Sequence, residues 1–323
     1  MRNYGKMTGK GGKKMKCGIC NYSEVKKTTT TVDESNMKFG LHIGISGPLI
    51  NVVERAVFFG CDTLQIFTRN PRSWGSPKDY SEEDISAFKK GLKKNRLEPL
   101  VIHISYLPNF ASPNPDLIEK SVNMLISDLN WAEKLSASYL VIHPGKHMGS
   151  GIAPGIQRII ESIDIAFSSV KNKVQLLLEN TAGQGTEIGT KLEELKAIMD
   201  GCEQSERIGV CLDLCHLYVA GYDLRDRLDE TLEVVDNIIG LSRVKILHGS
   251  DCKAECGSHL DRHEHIGEGK IGLRGFERVA NHPLLTKLPL ILETPKKEEE
   301  DDLRNIARIR SLVKKRRSYT QTN

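Results

Sequence analysis

No apolar run in this sequence approaches the roughly 20 residues that a bilayer-spanning helix needs, so no transmembrane segment is expected. The basic N-terminus lacks the apolar stretch of a secretory signal, and no export signal is expected either. A disulfide framework is missing too. The eight cysteines are scattered rather than framed, which favours a reducing compartment. Cys17 and Cys20, in CGIC, have half of a zinc-ribbon spacing, but no second pair follows nearby. Free thiols or a local disulfide are expected there rather than a structural zinc. Cys61, Cys211 and Cys215 lie in or beside apolar runs, as buried thiols do. Cys252 and Cys256 lie in a polar loop and are expected near solvent.

What is present points to a single large domain. The chain has 323 residues, enough for one barrel or two ordinary domains. Its net charge of +4 is uneven. Residues 1–36 are rich in lysine, carry a TTTT run and show no apolar periodicity, and they read as a basic, disordered arm. Residues 314–323 begin KKRR and read as a basic tail. Such ends can hold nucleic acid electrostatically or serve as a nuclear address, and a solvated flexible end fits equally. The catalytic domain is expected over residues 37–313.

Within that domain, strand and helix signals alternate eight times. Strands are expected at Lys38–Ile45, Thr63–Phe67, PLVIHI, YLVIH, VQLLLE, IGVCLD, RVKILH and LPLILE. Helices are expected at 49–59, 81–94, 115–135, 153–170, 191–199, 224–239, 273–280 and 299–312. Ser81 followed by Glu82, Glu83 and Asp84 is a strong helix start. The strands are apolar almost throughout, as in a parallel sheet buried on both faces. Eight βα units close a (β/α)₈ TIM barrel, an α/β fold whose C-terminal strand ends converge on one mouth. An open doubly wound sheet would place ligands only near its switch point.

Six of the expected strands end at, or just before, a side chain able to bind a metal. The nine residues are His103, His143, Glu179, Asp213, His216, His248, Asp261, His263 and Glu293. Packing does not call for polar groups at the same end of successive buried strands, whereas a shared metal site does. Five imidazoles with four carboxylates and no thiol suit Zn²⁺, Mn²⁺ or Fe. Nine donors exceed the need of one four-coordinate zinc and fit two or three ions with a bridging carboxylate. Asp261 and His263 project to one side of an extended backbone. His265 shares that parity, and spacing does not separate it from them. Such a cluster suits phosphate-ester hydrolysis. It also suits isomerisation of a sugar gripped by two metals.

The stretches around these residues resemble the endonuclease IV family of apurinic/apyrimidinic DNA endonucleases. The matching segments are FTRNPRSW after the second strand, SYLPNF after His103, HPG at His143, ENTAGQG at Glu179, CLDLCHLYVAGYD around Asp213, DRHEHIGEGKIG around Asp261 and LETP at Glu293. Together they span residues 39–309. The resemblance implies a barrel with three zinc ions, Mn²⁺ being a possible substitute. One ion would be held by His103, His143 and Glu179. A second would be held by Glu179, Asp213, His248 and Glu293, with Glu179 bridging and central to catalysis. The third would be held by His216, Asp261 and His263, leaving His265 outside.

The implied substrate is double-stranded DNA containing an abasic site. Hydrolysis of the phosphodiester on its 5′ side would leave a 3′-hydroxyl and a 5′-deoxyribose phosphate, with trimming of blocked 3′ ends by the same chemistry. Arg72, Tyr106 and Leu107 match loops that family members insert into DNA. Two departures stand out. Ser73 replaces a longer Gln of other members, and HGSD after His248 replaces an Asn-containing version while keeping Asp251. The alternative is a metal-dependent sugar isomerase or epimerase on the same barrel. A small sugar needs neither the third donor set nor the NPRSW and SYL loops. A monomer is expected, with no organic cofactor and no membrane partner. An intracellular, reducing location is expected, and the basic ends fit nucleus, cytoplasm or virion alike.

Overall fold

The computed structural model describes residues 37–314. The N-terminal arm with Cys17 and Cys20, and the tail beyond Lys314, lie outside the described residues.

Eight parallel strands form a closed barrel. They are β1 (Phe39–His42), β2 (Thr63–Phe67), β3 (Leu100–His103), β4 (Tyr139–Ile142), β5 (Gln175–Glu179), β6 (Ile208–Asp213), β7 (Val244–Gly249) and β8 (Leu290–Leu292). Each pairs with its sequence neighbours, and β1 pairs with β8 to close the ring. Helices cover the outside: α1 (Ile50–Phe58), α2 (Glu82–Asn95), α3 (Pro115–Leu135), α4 (Ile152–Ser169), α5 (Leu192–Gly201), α6 (Leu214–Val219), α7 (Leu228–Ile238), α8 (Gly272–Asn281) and α9 (Glu299–Ser311). Among the described residues no helix is long and apolar enough to cross a membrane.

Local chemistry explains the helix starts. Ser81 Oγ accepts the Asp84 N–H at 3.2 Å, which caps α2 and leaves its three acids in the positive first turn. Asn114 Oδ1 accepts the Asp116 N–H at 2.9 Å, and Pro115 supplies a preset φ at the head of α3. The buried stripe of α3 then runs through Val122, Leu125, Leu129 and Ala132, one helical face turned to the barrel.

Three details differ from the sequence reading. The first strand is shorter than Lys38–Ile45, although the Ile43 N–H still donates to the Gln65 carbonyl at 2.8 Å. The helix expected at 224–239 begins later, at Leu228, and an additional helix, α6, precedes it, because Asp213 ends β6 and at once caps a new turn. Two short antiparallel ribbons add to the expected elements: Gly145–Lys146 with Glu187–Ile188, and Asp251–Cys252 with His263–Glu264. The second ribbon corrects the expectation for Cys252. It folds the loop back onto the barrel and buries that thiol in the core, while Cys256 is exposed as expected.

Candidate metal centre

Strand alternation builds the site. Val101, Val141, Leu177, Cys211, Ile246 and Ile291 form a separate apolar cluster, contributed by six successive strands. Gly40 and Thr63 pair in register on the remaining two strands. A Cβ at Gly40 would lie 2.3 Å from the Thr63 carbonyl oxygen, so this position admits only glycine. Two residues further along every strand, on the same face, come His42, Gln65, His103, His143, Glu179, Asp213, His248 and Glu293. A layer of eight polar side chains therefore lies over an apolar floor. Six of them are sequence candidates. His42 and Gln65 are not: His42 closes a strand of only four residues, and Gln65 stands within its strand.

Glu179 is at the centre of this layer and fully buried. Its Oε2 lies 3.0 Å from His103 Nε2 and 3.1 Å from His143 Nε2. Its Oε1 lies 3.0 Å from His248 Nδ1. The donor atoms of His103, His143 and Glu179 fall within 4.8 Å of one another, as do those of Glu179, Asp213, His248 and Glu293, and those of His216, Asp261 and His263. The same spacing also groups His103 with His248 and Glu293, and Asp213 with Cys215 and His263, so the donor groups overlap and a thiol lies within reach of the cluster.

The loops bring in the remaining donors. Asp213 Oδ1 accepts the His216 N–H at 2.7 Å, fixing the turn that presents His216. Asp251 accepts the backbone N–H groups of Cys252, Gly267 and Ile271 at 2.8–3.0 Å. That hub ties down both ends of the loop carrying Asp261 and His263. His265 turns away from the cluster and packs its Nδ1 3.0 Å from Asn305 Nδ2, on α9.

Three of the histidines are aimed through an outer nitrogen. His103 Nδ1 lies 2.6 Å from the Ile104 carbonyl, His216 Nδ1 lies 2.9 Å from the Asn180 carbonyl and His263 Nδ1 lies 2.9 Å from the Glu293 carbonyl. A carbonyl only accepts, so these nitrogens donate, and the inner nitrogens facing the carboxylates are the ones left to take a proton or a metal. The Nε2 atoms of His216 and His263 face each other at 3.4 Å. Asp213 Oδ2 is buried without a hydrogen-bond partner. Converging lone pairs and an orphaned carboxylate oxygen fit divalent cations held by imidazole and carboxylate.

Electrostatics agree. Burial alone would lower the His143, His216, His248 and His263 imidazoles, but facing acidic groups raise all four instead, carboxylates throughout and at His248 the Cys211 thiol ahead of Glu293 and Glu179, with His263 raised to about 9. Burial would likewise raise Glu179, Glu293 and Asp261, yet the surrounding imidazoles hold all three well below the usual carboxylate range. Asp213 is pushed up by burial and His42 is pushed down by it. Without metal, protons on the imidazoles balance the carboxylate charge.

A cavity of about 1020 Å³ opens above the cluster, lined in part by Phe67, Arg69, Lys78, Tyr106 and His143. Two loops form one wall. The Tyr106 N–H donates to the Pro71 carbonyl at 3.1 Å, coupling the NPRSW and SYL segments. Tyr106 is 63% exposed and packs edge-on to Phe67. Arg72 is exposed on the same rim, and Leu107 lines a neighbouring cavity beside His143. Arg69 is buried instead. Its Nη2 lies 2.6 Å from Asp128 Oδ1, which Thr68 Oγ1 also reaches at 2.6 Å, anchoring the loop from below.

The comparisons with known proteins place this chain among nucleases. A family model described as xylose isomerase-like TIM barrel matches residues 53–312. A probable endonuclease 4 of Halothermothrix orenii is 47% identical over 277 residues, covering 84% of this chain and 99% of that protein. A probable endonuclease 4 of Methanoculleus marisnigri is 45% identical over 277 residues, covering 85% and 98%. The crystal structure of endonuclease IV from Thermus thermophilus superposes with a TM-score of 0.76 at 35% identity, over 85% of this chain and 98% of that one. A D-tagatose 3-epimerase-like protein superposes with a TM-score of 0.65 at 18% identity, covering 85% and 97%, a likeness of fold alone.

Proposed function

This chain belongs to the endonuclease IV family, and from that premise we propose that it is a zinc-dependent abasic-site endonuclease of base excision repair. Its substrate is duplex DNA, cut on the 5′ side of the abasic residue to leave a 3′-hydroxyl and a 5′-deoxyribose phosphate. Blocked 3′ ends are trimmed at the same site. The observation that carries this reading is the convergence of three donor sets in one mouth, two of them sharing the buried Glu179.

Bound there, divalent cations supply Lewis-acid polarisation of a phosphate and an acidified water. The protein residues arrange that chemistry. Glu179 presents one oxygen to His103 and His143 and the other to His248, which suits a bridging carboxylate. The apolar layer below the cluster closes the barrel, so phosphate enters only from the cavity side. On the rim, Arg72 supplies a cation to the DNA backbone, and Tyr106 with Leu107 supplies apolar surface beside an extruded nucleotide. Extrusion costs least where no base is stacked, which favours the abasic position. The described cysteines are free thiols, five of them buried, which supports a reducing compartment. The protein acts as a monomer and needs no organic cofactor.

The deciding experiment incubates purified, metal-loaded protein with a duplex carrying one abasic site. Incision on its 5′ side is expected. An intact duplex would overturn the reading and favour a sugar epimerase or isomerase. The variant Glu179→Gln should bind the duplex but lose incision, and normal incision by it would remove Glu179 from the site.

A further inference from the structure

Gln65 is the one member of the polar layer that cannot ionise, and its carboxamide lies among the Glu293 carboxylate and the His42 and His248 imidazoles. Its Nε2 is 2.6 Å from Glu293 Oε1 and 3.0 Å from His42 Nδ1, and its Oε1 is 2.9 Å from His248 Nε2. The identities of the amide atoms follow from chemistry. An ionised carboxylate only accepts, so the amide NH₂ faces Glu293. Its carbonyl then faces His248, whose Nε2 must carry the proton. The consequence falls on the opposite edge of each group. His248 Nδ1, the nitrogen left for a metal to take in place of a proton, faces Glu179 Oε1 at 3.0 Å and Glu293 Oε2 at 3.4 Å. On Glu293, Gln65 holds Oε1 at 2.6 Å together with His42 Nδ1 at 3.1 Å, so Oε2 is the oxygen turned toward His248.

We propose that Gln65 is a positioning residue for the metal subsite of Glu179, Asp213, His248 and Glu293, setting the tautomer of one ligand and the presented oxygen of another. The inference rests on the metal-centre reading above. Only a side chain with both a donor and an acceptor does this without adding charge. Glutamate would repel Glu293, lysine would leave the His248 proton unpaired, and leucine would hold neither group. His248 also differs from three of its neighbours. His103, His216 and His263 are each anchored on a backbone carbonyl, which no substitution removes. The anchor of His248 is a side chain, so its orientation is open to mutation.

Two variants test this in the full-length, zinc-loaded protein. Gln65→Leu removes the contacts to Glu293, His42 and His248, and Gln65→Glu keeps the acceptor for the His248 proton. The first readout is stepwise zinc release under a competing chelator. In Gln65→Leu, one ion should leave at about 10- to 100-fold lower chelator concentration, the range typical for loss of a group that orients a metal ligand. The other ions should leave as in the parent. The second readout is the ¹H–¹⁵N imidazole spectrum. The His248 Nε2–H signal should be present in the parent, lost in Gln65→Leu and retained in Gln65→Glu, although that variant still releases one ion early. Should Gln65→Leu not fold, the combination in Gln65→Glu of a retained tautomer with a weakened ion carries the test. A release profile equal to the parent's in either folded variant would overturn the inference, even if melting temperature fell, because packing alone would then explain the residue. A parent that incises abasic DNA and holds zinc, with variants unchanged, would sink only the role of Gln65. A parent that holds no metal would sink the metal centre with it.

Discussion

His216 Nε2 and His263 Nε2 lie 3.4 Å apart, each ring having its Nδ1 bonded to a backbone carbonyl. Two lone pairs then oppose each other, with Asp261 Oδ1 3.2 Å from His263 and its Oδ2 3.5 Å from His216. A proton or a cation must occupy that space. In the repair reading it is the third zinc. His263→Ala should therefore lower the metal content by one ion per chain. Incision should slow by roughly 10²–10³-fold, as when one group stabilising developing charge on oxygen is removed. Elemental analysis paired with single-turnover kinetics checks both, and an unchanged metal count would contradict the assignment.

The rim residues should affect binding rather than chemistry. Arg72 is exposed and has no carboxylate within ion-pair distance among the described residues. Arg72→Ala should reduce the slope of log affinity against log salt by about 1, one phosphate contact. Tyr106→Ala should weaken abasic-duplex binding by about 1–3 kcal/mol, the range for loss of one aromatic stack on nucleic acid. Fluorescence anisotropy across a salt series measures both. Equal slopes for parent and Arg72→Ala would remove that residue from the interface.

Beneath the rim, Asp128→Ala should damage stability. The Arg69 and Asp128 side chains are 6% and 1% exposed, so the substitution strands a buried guanidinium. Removing one partner of such a pair costs about 3–5 kcal/mol. Chemical denaturation should show this loss. A change below about 1 kcal/mol would mean that water reaches the pair, as it does at a surface ion pair.

The titration of the centre gives opposite trends with and without metal. The raised histidines contribute stability that is present below their unfolded value of 6.5 and lost as pH rises through their folded values, about 9 for His263. The lowered Glu179, Glu293 and Asp261 contribute stability above their unfolded values, lost as pH falls through the depressed ones. Chelator-stripped protein should therefore melt at progressively lower temperature from about pH 6.5 to about pH 9. Metal competes with protons for the same atoms, so zinc-loaded protein should escape that fall. Melting curves at matched ionic strength test this, and parallel losses for both forms would argue against a shared proton and metal site.

Much of this architecture is legible in the sequence because the strands are apolar on both faces and the helices carry their caps. Ser81 marks a helix start in the sequence and acts as a cap, whereas the Asn114 cap of α3 shows only in the structure. Polar residues at strand ends locate the mouth for the same reason, since only a site repays their burial. His42 and Gln65 are not legible in this way because neither stands at the end of a long apolar run. Recognising them requires the barrel register, which pairs Gln65 with His42 on adjacent strands. The separation of His263 from His265 also lies beyond spacing, because it depends on Asn305 in a helix 40 residues away. Cys252 reads as exposed because its neighbours in sequence are polar, whereas its ribbon partner His263 and the Asp251 hub carry it into the core.

The most direct test of the metal centre is the zinc-to-protein ratio of the purified, folded protein, measured by elemental mass spectrometry after exhaustive gel filtration. Three donor sets, two of them joined through Glu179, lead to a ratio of three, falling to two in His263→Ala. A parent ratio near zero, in protein that still incises abasic DNA, would contradict the assignment of these residues as ligands.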